Sequence, residues 1–106
     1  MKINAKTYEI YIAGDYERAR ETCRHWTVEN PQCVTVSRST FIYTHGEESG
    51  VVIGLRSYAR FPSEPGELEQ LARWLCDRLM LDLCQRSAMI CGPNDHEWIT
   101  LEGTTP

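Results

Sequence analysis

From Thr7 to Ala13 apolar and polar positions alternate: Tyr8, Ile10 and Ile12 fall between Thr7, Glu9 and Tyr11, the period of two that marks a half-buried strand. Gly14 and Asp15 break the pattern. Asp15 suits an N-cap and Glu17 complements the positive end of a helix dipole, so the spacing predicts a helix over Tyr16–Val28. Its apolar stripe is Tyr16, Ala19, Cys23 and Trp26. Asn30 and Pro31 stop it, because proline cannot continue the ladder and pushes its predecessor out of helical space. A long strand follows over Cys33–Tyr43, with Val34 and Val36 on one face and Phe41, Ile42 and Tyr43 further on. The polar run Ser37, Arg38, Ser39, Thr40 interrupts it and predicts a bulge.

The same order then repeats. His45 to Gly50, HGEESG, reads as a hairpin loop, and Val51–Tyr58, rich in β-branched and aromatic residues, as a covered central strand. Pro62, Pro65 and Gly66 bring the chain into its strongest helix, with Ser63 or Glu64 as cap, Pro65 in the first turn, and Glu67 and Glu69 complementing the dipole. Leu68, Leu71, Ala72, Leu75, Leu79 and Leu83 recur at spacings of three and four, a stripe that must be buried. Ala88–Cys91, the turn Gly92–Asp95 (GPND) and Glu97–Leu101 predict a closing β-hairpin, and Gly103–Pro106 a frayed tail.

Strand, helix, strand, strand, helix, strand, with one strand appended, is the order of a ferredoxin-like βαββαβ fold. It is an α+β antiparallel sheet with both helices on one face and one additional C-terminal strand. With 106 residues and 42% apolar content, residues 1–106 read as a single domain. The N-terminus lacks the apolar core of a signal peptide, and no apolar stretch is long enough to cross a membrane, so the chain reads as cytoplasmic. The five cysteines agree with that: Cys23, Cys76 and Cys84 lie on or beside helical stripes and Cys33 and Cys91 in strands, as small buried hydrophobes.

Composition and spacing exclude much chemistry. Cysteines and histidines form no tight zinc pair, and Cys23 and His25, two apart on a helix, diverge by about 200°. No metal and no cofactor is implied. A thiol nucleophile drawn from Cys23 or Cys33 with His25 or His96 lacks any backbone device to expose a thiolate, and there is neither a P-loop nor a G-x-G-x-x-G stretch. Nucleic acid fits poorly: Arg56, Tyr58, Arg60 and Phe61 give a partial aromatic and basic set, but the net charge is -4.

Tyr11, Tyr43, Arg56, Tyr58, Arg60 and Phe61 come from three strands or their ends, and some must lie on the sheet face that the helices leave uncovered. Tyrosine and arginine anchor interfaces, so this set reads as a protein-binding face, a homodimer through sheet packing being one form of it. The acidic loop around Glu47 and Glu48 is a second candidate surface, for a basic partner.

The runs YEIYIAGDYERAR (8–20) and CVTVSRSTFIYTHGEESGVVIGL (33–55) resemble small, uncharacterised proteins encoded by tailed phages and prophages, over about Lys6 to Ile99. The resemblance implies an accessory protein acting on a host factor in an infected cytoplasm, and it transfers no functional residue. The leading expectation is therefore a non-enzymatic interaction protein with a protein partner. The alternative is a dimeric α+β barrel-like protein that binds or transforms a small molecule in a cavity over the sheet, with Tyr11, Arg56, Tyr58 and His45 at the site.

Overall fold

The computed structural model describes residues 6–56 and 65–100. Its elements are β1 (Thr7–Ala13), α1 (Tyr16–Glu29), β2 (Val34–Tyr43), β3 (Gly46–Arg56), α2 (Pro65–Asp82), β4 (Ser87–Cys91) and β5 (His96–Thr100). Five strands form one sheet in the order β2-β3-β1-β4-β5, every pairing antiparallel. This is the ferredoxin-like α+β fold with an extra C-terminal strand. Tyr58, Arg60 and Phe61, the expected cap at Ser63 or Glu64, Leu101 and the tail from Gly103 lie outside the described residues.

Local chemistry explains the helix ends. Asp15, in extended conformation, accepts a hydrogen bond from the Arg18 backbone N–H at 2.9 Å, and Asn30 closes α1 by donating from its own N–H to the Trp26 carbonyl. At the other helix the Gln85 N–H reaches the Met80 carbonyl and the Cys84 N–H that of Leu81, a Schellman closure. Cys84 sits there at φ 57, where glycine is the usual residue, and its side chain is exposed rather than buried as its position beside the stripe predicts. Cys84→Gly is therefore expected to raise stability by about 1 kcal/mol, read as a higher Tm.

Two strand readings need correction. The register of β2 against β3 runs unbroken from Val34↔Leu55 to Tyr43↔Gly46, so the run Ser37–Thr40 contains no bulge. On this edge strand Ser37 and Ser39 take the uncovered face, and Arg38 lays its guanidinium 4.0 Å over the Tyr16 ring on the helix side. The expected loop His45–Gly50 is instead mostly strand: the reversal is confined to Thr44 and His45, with His45 at φ 70. Glu47 and Glu48 are held extended by cross-strand partners Ile42 and Phe41.

Alternation sorts the strands into two faces. Ile10 and Ile12 of β1, Val51, Ile53 and Leu55 of β3, and Ala88 and Ile90 of β4 are buried together with the stripes of both helices. Arg73 of α2 donates to the Glu97 carboxylate, which ties β5 to the helix layer. The alternate positions face away from the helices. Beyond the Ala13↔Gly50 rung, where β1 ends, β2 and β3 continue as a two-stranded ribbon, tipped by exposed Ile42 and Tyr43, and the molecule is 47 Å long.

Candidate functional site

The uncovered face carries one row of side chains across all five strands: Ser37, Val52, Tyr11, Met89 and Trp98 are successive cross-strand partners. Between this row and the ribbon lies a cleft of 240 Å³, lined by Tyr11, Ala13, Phe41, Glu48, Gln85, Ser87, Ala88, Met89 and Trp98. The Tyr11 and Phe41 rings meet at 6.4 Å between centroids, tilted by 47°. Phe41 reaches Tyr11 by lying across Gly50. A Cβ on Gly50 would stand 2.4 Å from the Phe41 ring and 2.5 Å from the Ile12 carbonyl oxygen, so only glycine lets the ring fold down.

Tyr11 is fixed from one rung away, its hydroxyl donating to the Glu9 carboxylate at 3.1 Å. That bond, then burial and the negative charge of Glu9, hold the phenol above its ordinary pKa, so the ring stays neutral and serves as a face. Trp98 is 63% exposed and forms the opposite wall. A wet-edged aromatic wall of this kind suits stacking against a flat ring. Among the described residues that line it none is basic, and Glu48 brings the one carboxylate.

The candidates named from the sequence divide. Tyr11, Tyr43 and Arg56 do share the uncovered face, but Tyr43 stands opposite Gly46, ten residues along β3 from Arg56, about 33 Å away. Only Tyr11 of that set lines the cleft. His45 is in the ribbon's turn and does not reach it. Glu47 and Glu48 point to opposite faces, so the acidic pair is not one surface, and Glu48 alone joins the site. Phe41, Met89 and Trp98 were not among the candidates. Their common signal is parity: each is out of phase with the residues of its own strand that pack against the core.

Burial pushes Cys23 and Cys76 up to about 12. Cys91 lies between Glu9 and His96 in one cross-strand row, yet burial and then the Glu9 charge raise its pKa, the opposite of an activated thiol. Among the described residues no three His, Cys, Asp or Glu side chains are grouped to hold a metal. Larger hollows exist, 450 Å³ between the C-terminal end of α1 and the start of α2, and 370 Å³ beside the start of α1. In the second, Asp15 is engaged as a cap and Arg38 by Tyr16 and Glu17, whereas the sheet cleft brings three aromatic rings together with Glu48, a carboxylate that has no ion pair among the described residues.

An α+β sandwich of one sheet and one helix layer, with an aromatic cleft on the bare side of the sheet, is the class the geometry defines. No family model and no curated protein matches this chain. Two solved structures are similar over nearly its whole length. A phage SAM lyase in complex with S-methyl-5'-thioadenosine has a TM-score of 0.69 at 12% identity, covering 99% of this chain and 98% of that one. A phage SAM lyase in the apo state has a TM-score of 0.63 at 12% identity, covering 94% and 92%. At this identity the likeness establishes the shared fold.

The comparison also corrects two expectations. A non-enzymatic interaction protein with a protein partner, or a second copy, as its ligand was expected; both similar structures are lyases, and one holds a small molecule. The physical reason is visible here: the tyrosine and arginine positions taken for an interface are spread along the sheet, while the rings that do converge enclose a space sized for one ring system. The comparison backs the small-molecule alternative better than the interaction reading. Both neighbours are phage proteins, and no described helix is long and apolar enough to cross a membrane.

Proposed function

We propose that this chain is a phage-encoded SAM-cleaving lyase whose substrate lies over the uncovered sheet face, with its adenine ring between Tyr11, Phe41 and Trp98. The observation that carries the reading is the whole-length likeness to a SAM lyase holding S-methyl-5'-thioadenosine. The aromatic cleft supplies independent support. At 240 Å³ it is smaller than a usual ligand pocket and takes one ring-sized fragment, leaving the rest of the ligand at its mouth.

Release of S-methyl-5'-thioadenosine from S-adenosylmethionine breaks the bond between sulfur and the amino-acid side chain. The bonding pair goes to sulfur, and the sulfonium becomes a neutral thioether. No water is added: the fragment's own carboxylate oxygen displaces sulfur, forming a C–O bond as the C–S bond breaks and closing a lactone ring, with no proton to be removed. Because positive charge at sulfur disappears along this path, exclusion of water from the reacting bond disfavours the starting cation more than the transition state. The protein's part is to hold the adenosyl group and to exclude water. No group with an ordinary catalytic pKa is required.

Incubating the purified chain with S-adenosylmethionine and following products by mass spectrometry tests this. S-methyl-5'-thioadenosine is expected to accumulate one for one with substrate loss, without S-adenosylhomocysteine. Trp98→Ala, which removes one wall, is expected to weaken substrate binding about tenfold. Intact substrate after prolonged incubation, together with no binding, rejects the reading.

A further inference from the structure

We infer that Glu48 is the residue that makes the cleft select a positively charged sulfur, pairing its carboxylate with the sulfonium and so distinguishing substrate from thioether product. This deepens the proposed lyase reading and rests on it. Glu48 is brought to the cleft by strand parity: it stands opposite Phe41 on the uncovered face, whereas its neighbour Glu47 stands opposite Ile42 on the other. Among the described residues it makes no ion pair, and none of those that line the cleft is basic. With the adenine ring in the cleft the sulfonium lies at its mouth, and exposed Glu48, unpaired among the described residues, is the carboxylate of the lining that can face it there. A neutral thioether gains from the rings alone. The site therefore releases its product as the charge is lost.

The consequence for catalysis has a definite sign. Glu48 stabilises the bound cation more than a transition state in which that charge is fading, so its removal raises KM without lowering kcat. The test compares wild type, Glu48→Gln and the control Glu47→Gln. S-adenosylmethionine, S-adenosylhomocysteine and S-methyl-5'-thioadenosine are the probes, read by stopped-flow tryptophan fluorescence before turnover, at low and high salt. In Glu48→Gln the affinity for S-adenosylmethionine is expected to fall about fivefold and to lose its salt dependence, with the two thioethers unchanged. Glu47→Gln leaves all three unchanged.

Equal weakening of all three probes would mean that Glu48 shapes the cleft and would overturn the assignment. Weakening of both amino-acid-bearing probes but not the third would place Glu48 at the ammonium group, and also overturns it. So does an unaltered preference in the variant. Wild type that binds none of the probes defeats the lyase reading itself, an outcome distinct from binding with an unaltered preference.

Discussion

Gly50→Ala is expected to lower Tm by about 10–20 °C and to abolish binding in the sheet cleft. The added Cβ would meet the Phe41 ring at 2.4 Å, the Ile12 carbonyl oxygen at 2.5 Å and the Ala13 Cα at 3.0 Å, on a residue that is itself buried between β1 and β2. The ring can swing away, but the two backbone contacts cannot be relieved without parting β1 from β3 at their last shared rung. Overpacking of this kind costs about 2–3 kcal/mol, and in a domain of this size each kcal/mol moves Tm by roughly 4–8 °C. Thermal melts of Gly50→Ala and of Gly50→Ala with Phe41→Ala decide which contact matters. If the backbone contacts dominate, both stay destabilised; recovery in the double variant would show that the ring alone objects.

The second large effect is alkaline. Cys23 of α1 and Cys76 of α2 are buried in the core, and burial raises both thiols from 9.0 to about 12. A group whose folded pKa is raised contributes stability that is intact below its unfolded value and is lost as pH climbs toward the folded one. Here the unfolded chain releases two protons between about pH 9 and 12 that the folded chain keeps. Stability should fall by up to about 4 kcal/mol per thiol across that window, enough to unfold a typical small domain before pH 12. Tyr8 and Tyr11 are also raised, and they add to the loss above pH 10. Urea titrations between pH 9 and 10, where the tyrosines contribute least, report mainly the thiols, with a smaller part from Cys91. Cys23→Ala with Cys76→Ala should flatten the pH dependence in that interval, despite a lower stability at neutral pH; an unchanged slope rejects the mechanism.

Much of this architecture is visible in the one-dimensional pattern, and the reasons for the exceptions are physical. Ile10 and Ile12, and the leucine stripe of α2, announce their elements because each has a single buried side and therefore a clean period. Gly46 to Ser49 reads as a loop because glycine, glutamate and serine are poor strand formers, and only the register opposite Thr40–Tyr43 makes them strand. The polar run in β2 looks like a defect for the same reason: an edge strand tolerates serines on its bare face and an arginine whose guanidinium finds a ring.

The cleft was out of reach for a different cause. Tyr11, Phe41, Met89 and Trp98 are far apart in sequence, and each is unremarkable in its own strand. The turn Gly92–Asp95 already pairs β5 with β4, but the four become neighbours only when that hairpin is placed beside β1, which no local pattern specifies. Tyr43 and Arg56 show the converse, since shared parity put them on one face while position along the strands kept them apart. Glu48 was singled out for its charge, but its role changed once it moved from a loop tip to a strand.

The place of β1 in the sheet bears on how the chain comes to be folded at all. β1 is the earliest of the strands to be synthesised, yet it occupies the middle of the sheet, with β3 on one side and β4 on the other. Ile10 and Ile12 thus leave the ribosome with no partner. Their second flank closes only after Cys91 has emerged, about 4–16 s later at ordinary elongation rates. Through that interval two large aliphatic side chains on a half-paired strand are open to other nascent chains, and the demand for chaperone protection falls on β1 until β4 has been made.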